Sequence, residues 1–371
     1  MAKIYQTEHL LKYNGHNVMG NDIPQIANCR IMVVGVGGAG NNTVTRLMDM
    51  GVTGAECVAV NADALHLRNS KAHRKILIGE KLTRGLGVGG DPKLGKAAIE
   101  ESRKHIEELL SNVDIVFITA GLGGGTGTGA APVIAEIARK KGAITVGVVT
   151  TPFRIERGRI EYAANALTEM RRQCDTVVVI DNNKLMQLVP HLPINEAFKF
   201  ADQVLANMIK GIVETISAPS LINLDLADFK TIVKRGGVAV IGVGESDAPN
   251  RAEEAVRNAL RSPFLDVDYA GATGALIHVT GDAHMTIEEA NRVGEIVTEM
   301  MDGNALVIWG ARVNPEQDGK LKVTLVMTGI NSPHILSGFG TIAPQLYNLE
   351  PYAEPEKPLG IELNLYQMEN F

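Results

Sequence analysis

The stretch Gly121-Leu122-Gly123-Gly124-Gly125-Thr126-Gly127-Thr128-Gly129 puts six glycines in nine residues, directly behind the aliphatic run Ile115 to Thr119. Glycine packs nothing and costs conformational entropy, so a strand end this rich in it is explained by a close approach of backbone to a partner. Such a loop offers a concave run of amide donors, and Thr126 and Thr128 add hydroxyls. A helix read from about 130 to 140 adds the positive end of its dipole. An anion such as phosphate would be held there without any lysine.

A second strand, Ile31 to Val34, leads into Gly35-Val36-Gly37-Gly38-Ala39-Gly40-Asn41-Asn42 and then a helix. Alone, this matches G-x-G-x-x-G, with Glu56 or Asp63 as the acid about 20 residues on, which makes an NAD-dependent oxidoreductase one reading. A glycine turn that merely permits tight packing is another. Two glycine loops on neighbouring strands instead suggest a longer polyphosphate clasped from both sides. The segment Gly90 to Ala97 satisfies G-x-x-x-x-G-K but has Ala97 where a P-loop needs Ser or Thr, and no apolar strand precedes it. Arg84 to Pro92 therefore reads as a third loop near the same crevice.

Short aliphatic runs at 31–34, 57–60, 75–78, 115–119, 144–149 and 176–180 alternate with helical stretches at about 41–50, 93–111, 130–140 and 158–173. Continuous apolar runs of this length are buried parallel strands, and the alternation predicts a Rossmann-like, doubly wound α/β domain over 30–195. A long amphipathic helix follows over 196–218, with Val204, Leu205, Met208, Ile209, Ile212, Val213 and Ile216 at helical spacing before Pro219. Strands at about 237–243, 274–280, 305–311 and 321–328, with helices at 248–260 and 286–301, predict a second α/β domain over 219–330. Thr286 and Glu289 form a capping-box pattern at its last helix. Residues 1–29 read as an extension with a short helix around His9 to Tyr13, and 331–371 as a flexible, proline-punctuated tail.

The 371 residues carry 36 Lys and Arg against 42 Asp and Glu, a net charge of -6, so no overall field draws in nucleic acid or an anionic membrane. Cys29, Cys57 and Cys174 show no metal or disulfide spacing, which fits a reducing cytoplasm and predicts no protein-held metal. No apolar stretch reaches the roughly 18 residues of a membrane span, so direct membrane insertion is not expected.

The run Gly123 to Gly129 is the tubulin-type signature, and from about Arg30 to Ile330 the chain resembles the prokaryotic, tubulin-like cell-division GTPases of the FtsZ family, in an archaeal-type form. Gly35 to Asn42, Asn61-Ala62-Asp63, Arg84 to Pro92, Thr150 to Phe153, Asn182, Phe198 to Asp202 and Asn223 to Asp228 match in order. The resemblance implies GTP or GDP as ligand and Mg²⁺ as companion ion. It implies that Gly37, Gly38, Ala39, Asn61 and Gly123, Gly124, Gly125, Thr126 and Gly127 surround the phosphates. Glu156 would accept from the ribose hydroxyls with Arg159 assisting. The family spaces these two residues four apart and this chain three, which leaves Arg157 as an alternative. Asn42, Asn182 and Asp202 would read guanine and Phe198 would stack on it. From the residues alone, Phe198 reads equally as helix-core packing and Asp202 as a solvated charge.

Asn223-x-Asp225-x-x-Asp228 has two readings. Asp at a helix N-cap and again three residues on is a common way to satisfy orphan amides. The resemblance implies that this loop faces the nucleotide of the next subunit, with Asp225 and Asp228 positioning the attacking water and Asn223 supporting the γ-phosphate end. It further implies head-to-tail protofilaments, action at the mid-cell division site, and a tail contacting membrane adaptors and other division proteins. The ending GIELNLYQMENF lacks the Asp-Ile-Pro of bacterial adaptor peptides. A filament protein for cell shape remains a second reading.

Overall fold

The computed structural model describes residues 29–330 apart from 218–219, 223, 235–237, 262–268 and 316. Residues 1–28 of the extension with its expected helix at His9 to Tyr13, the tail, Pro219 and Asn223 lie outside the described residues.

The first half runs β1 (Ile31–Val36), α1 (Gly37–Asp49), β2 (Ala55–Asn61), α2 (Ala64–Asn69), β3 (Arg74–Leu77), α3 (Glu80–Thr83), α4 (Pro92–Glu101), α5 (Arg103–Leu109) and β4 (Ile115–Gly121). It continues with α6 (Thr126–Lys140), β5 (Ile144–Thr151), α7 (Arg157–Gln173), β6 (Thr176–Asp181) and α8 (Leu185–Leu188). The long helix α9 spans Ile194–Ser217. Beyond it come α10 (Leu226–Val233), β7 (Val238–Ser246), α11 (Arg251–Leu260), β8 (Gly274–Gly281), α12 (Ile287–Glu299), β9 (Leu306–Val313) and β10 (Leu321–Ile330).

Strands β1 to β6 are all parallel in the order β3-β2-β1-β4-β5-β6. The doubly wound order brings the C-terminal ends of β1 and β4 side by side, with Val36 opposite Ala120. This is where a doubly wound sheet opens a crevice for ligands. One face is covered by α4 to α7, whose Ile99, Ile106, Ile134 and Leu167 pack with Met32, Val34 and Ile118. The other is covered by α1 and α9.

Among the described residues the second sheet joins the first through the pair Val177 with Val238. Its order is β7-β10-β8-β9, with the last strand, β10, inserted antiparallel between β7 and β8. Helix α9 binds both sheets together, since Leu205, Ile209 and Val213 share one core with Ala239, Ile241, Leu276 and Val326. In the second half, Arg251 of α11 holds Glu289 of α12 at 2.6 Å and Asp282 at 3.2 Å, and donates to the Gly319 carbonyl at 2.9 Å.

Two helices differ from expectation. The stretch expected at 93–111 breaks at Ser102, a weak helix former that adopts φ -98°, ψ 8°. Helix α6 begins at Thr126, inside the glycine signature. Its glycines are tolerated because α4 lies against it: a Cβ on Gly129 would meet the Pro92 oxygen at 2.2 Å. Pro132, which suggests a helix start, sits inside the helix instead. No helix of the described residues is long and apolar enough to cross a membrane.

Candidate functional site

A cavity of about 460 Å³ opens over the C-terminal ends of the parallel strands. Three loops form it. The first, at the start of α1, contributes Gly38 and Ala39; the signature contributes Gly124, Gly125, Thr126 and Gly127; the third contributes Leu86 to Gly90. Their approach demands glycine. Gly37 has φ +72°, and a Cβ there would lie 2.9 Å from the Gly127 nitrogen, so the first two loops touch backbone to backbone. A Cβ on Gly125 would strike Val88 Cγ2 at 2.3 Å, which seats the third loop against the signature. Gly123, at φ +98°, donates its N–H to Thr128 Oγ1 at 2.9 Å, fixing the turn.

Beneath the first loop, the buried Asn41 amide, oriented to satisfy both its ends, donates to the Gly35 and Gly37 carbonyls and accepts from Asn61 Nδ2 at 3.1 Å. Asn61 in turn accepts from the Asp63 N–H at 3.2 Å and lines the cavity. Asn41 and His66 are functional candidates that the sequence reading did not single out. His66 follows Asp63, whose carboxylate caps α2 by accepting from the His66 N–H at 2.9 Å. Its Nδ1 is buried and meets no hydrogen-bond partner among the described residues. The signal for it was positional: α2 starts at a strand end, beside the other loops.

The cavity is electrostatically open to anions although it carries little positive charge. Helices α1 and α6 point their N-termini toward it, and neither has an acidic residue in its first turn to neutralise its amides. Both carboxylates of the lining are engaged. Asp63 caps α2, while Glu156 accepts from the Phe153 N–H at 3.0 Å and forms an ion pair with Arg159. Arg159, not Arg157, is the arginine of the lining.

At the other end of the cavity stand Asn182 and Phe198. Phe198 is 41% exposed and meets Phe153 edge to face at 5.7 Å, so it is not simple core packing. Asp202 and Asn42 lie outside the lining. Asp202 is one helical turn beyond Phe198 on α9, and Asn42 is one turn before Arg46 on α1. Burial pushes the Asp202 carboxyl up to about 7, and the nearby Arg46 charge pulls it partly back. Asp202 is thus a half-buried acid rather than a solvated one.

Asp225 and Asp228 also lie outside the cavity lining. Asp225 caps α10, accepting from the Asp228 N–H at 2.8 Å, and Asp228 returns the bond from the Asp225 N–H at 3.2 Å. The capping reading is therefore present in the structure. Both side chains remain at the surface with further lone pairs to offer. Among the described residues no group of three or more His, Cys, Asp or Glu could hold a metal.

A crevice of glycine loops and helix N-termini at the carboxyl ends of parallel strands defines a phosphate-binding α/β protein, here with two such loops rather than one. The P-loop alternative fails on geometry, since Asp91 and Pro92 open α4 and Lys96 is exposed away from the lining. Residues 30–190 match the GTPase domain of the Tubulin/FtsZ family, and residues 237–331 match the FtsZ family C-terminal domain. Cell division protein FtsZ 2 of Methanocaldococcus jannaschii is 55% identical over 315 residues, covering 84% of this chain and 83% of the relative. Cell division protein FtsZ 1 of Pyrococcus furiosus is 52% identical over 340 residues, covering 91% and 89%. The solved M. jannaschii FtsZ dimer superposes with a TM-score of 0.77 at 48% identity, over 90% of this chain and 96% of that one. CetZ2 from Haloferax volcanii shares the fold, with a TM-score of 0.72 at 21% identity. The chain belongs to the FtsZ family of tubulin-like cell-division GTPases. The oxidoreductase reading, built on one glycine loop, is thereby set aside.

Proposed function

We propose that each protomer binds GTP in this cavity and hydrolyses it only when a second copy, docked head to tail, brings its own Asp225 and Asp228 to the γ-phosphate. The observation that carries this is the distribution of carboxylates: those lining the cavity are engaged in a helix cap and an ion pair, while the two at the start of α10 lie outside it. The solution of M. jannaschii FtsZ as a dimer supports self-association.

In this reading the amides of Gly37 to Ala39 and Gly123 to Gly127, with the Thr126 hydroxyl and Asn61, hold the phosphates. Glu156 and Arg159 meet the ribose. Phe198 stacks on guanine, and Asn42, Asn182 and Asp202 read its edge along the seam of α1 and α9, with Asp202 accepting from N1–H and the exocyclic amine as its carboxylate. Asp225 and Asp228 orient and polarise the attacking water, and Asn223 supports the γ-phosphate end. Among the described residues no acidic cluster could hold Mg²⁺, and phosphate oxygens and water would supply most of that ion's ligands, as is usual for magnesium. Bound there, the ion would offset the charge developing on the phosphates.

The labour divides along the boundaries 30–195, 196–218 and 219–330. Heterologous contacts of this kind do not close, so they build filaments, and hydrolysis weakens them. The process served is division at mid-cell in the cytoplasm, with the 331–371 tail reaching adaptors. Asp228→Ala tests the core of this proposal. GTP affinity is expected to stay at the wild-type value while turnover falls on the order of 100-fold to 10,000-fold, the range for loss of a positioned base. Lost binding, or retained turnover, would contradict the assignment.

A further inference from the structure

The loop that delivers Asp225 lies between α9 and α10, and its described residues form no helix or strand of their own. It is instead pressed onto the outer strand of the second sheet. Ile222 and Ala311 of β9 exchange both backbone hydrogen bonds, at 3.1 Å and 3.2 Å. Leu224, 5% exposed, rests on Gly310. A Cβ on Gly310 would lie 2.7 Å from the Ile222 oxygen and 2.7 Å from Leu224 Cγ. Gly310 has no positive φ, so glycine is needed there for space rather than for conformation. Leu306 and Ile308, on the same face of β9, pack with Leu224 and Phe229 in one core. The first turn of α10 is thus held from below, through a chain of contacts that begins at β9.

We propose that Gly310 is a positioning residue for hydrolysis: the bare backbone of β9 at Gly310 and Ala311 sets the height and register of Ile222 and Leu224, and through them the aim of Asp225 and Asp228. This rests on the shared-site reading above. Any side chain at 310 lifts the segment against a backbone oxygen that cannot rotate away. Displacements well under 1 Å matter, because a misplacement of about 1 Å can cost roughly 100-fold in rate.

The test uses the full chain with GTP. Gly310→Ala is expected to lower turnover per sedimented protomer about tenfold while leaving the GTP affinity of dilute protein at the wild-type value, with the unfolding midpoint lowered by a few degrees and the chain still fully folded at the assay temperature. Ala311→Pro is the second variant. It removes the one N–H that bonds Ile222, whose partner groups on Ala311 both point away from β8, and proline is tolerated at sheet edges. It is expected to lower turnover in the same way. Wild-type turnover in both variants overturns the proposal, as does a fall that only tracks lost affinity or stability. Asp228→Ala run in parallel separates the two ideas. Full turnover in that variant sinks the shared site, whereas an inert Asp228→Ala beside a fully active Gly310→Ala sinks only the role of β9.

Discussion

The nucleotide cavity and the Ile222–Asp228 segment solve opposite problems. The cavity is built almost wholly from backbone: glycines at Gly37, Gly123, Gly125 and Gly127 bring three loops within contact distance, and helix N-termini supply the field. It is complete within one chain. The Ile222–Asp228 segment offers two carboxylates at the start of α10 that in a single chain do nothing but cap each other. If the proposed roles hold, binding and hydrolysis are separable by construction, since one would be a matter of backbone shape and the other of two side chains supplied to a neighbour's substrate.

Gly37→Ala strikes the cavity hardest. The φ of +72° strains any side chain, and the added methyl meets the Gly127 nitrogen. GTP affinity is expected to drop tenfold or more by titration calorimetry, on the order of the 1–3 kcal/mol that such backbone strain costs. Turnover falls with it, the reverse of the Asp228→Ala pattern. Binding retained in Gly37→Ala would break the comparison.

Phe198→Ala is a smaller blow to the same side. Base–aromatic stacking contributes about 1–3 kcal/mol, so GTP and GDP affinity should fall roughly tenfold and equally, leaving turnover at saturation near wild type. A change in saturated turnover instead would place Phe198 in the chemistry.

Asp202→Asn has an effect that is visible without nucleotide. Burial raises this acid from 3.8 to about 7, so folding favours its neutral form. The penalty for its charge is absent below pH 3.8, grows as pH rises and is complete above about 7. Asp202→Asn should therefore raise the unfolding midpoint of nucleotide-free protein at pH 8 and leave it unchanged at pH 4. An equal shift at both pH values would show that the carboxyl's charge is not the cause.

The sequence made the cavity legible because its chemistry is local: aliphatic runs end in glycine loops, and a glycine-rich strand end followed by a helix offers backbone amides to an anion. The continuous runs at Ile115 and Ile144 likewise announced a parallel sheet. What escaped was set by contacts distant in sequence. The pairing of Ile222 with Ala311, and the need for a bare Gly310, follow from how β9 closes the second sheet. The antiparallel insertion of β10 leaves no trace in its alternating residues. Phe198 and Asp202 read ambiguously because helical periodicity does not say which face of α9 meets a cleft; the partial exposure of Phe198 excludes simple core packing, and the partial burial of Asp202 excludes a fully solvated charge.

Neither the cavity nor the Asp225–Asp228 pair of one protomer is expected to hydrolyse GTP without a neighbour. A dilution series measuring phosphate release per protomer, alongside bound GTP per protomer, tests it most directly. Bound GTP is expected to stay constant while hydrolysis per protomer falls toward zero below the concentration at which sedimentable polymer disappears. Hydrolysis per protomer that stays level across the series, in protein shown to be intact, would contradict it.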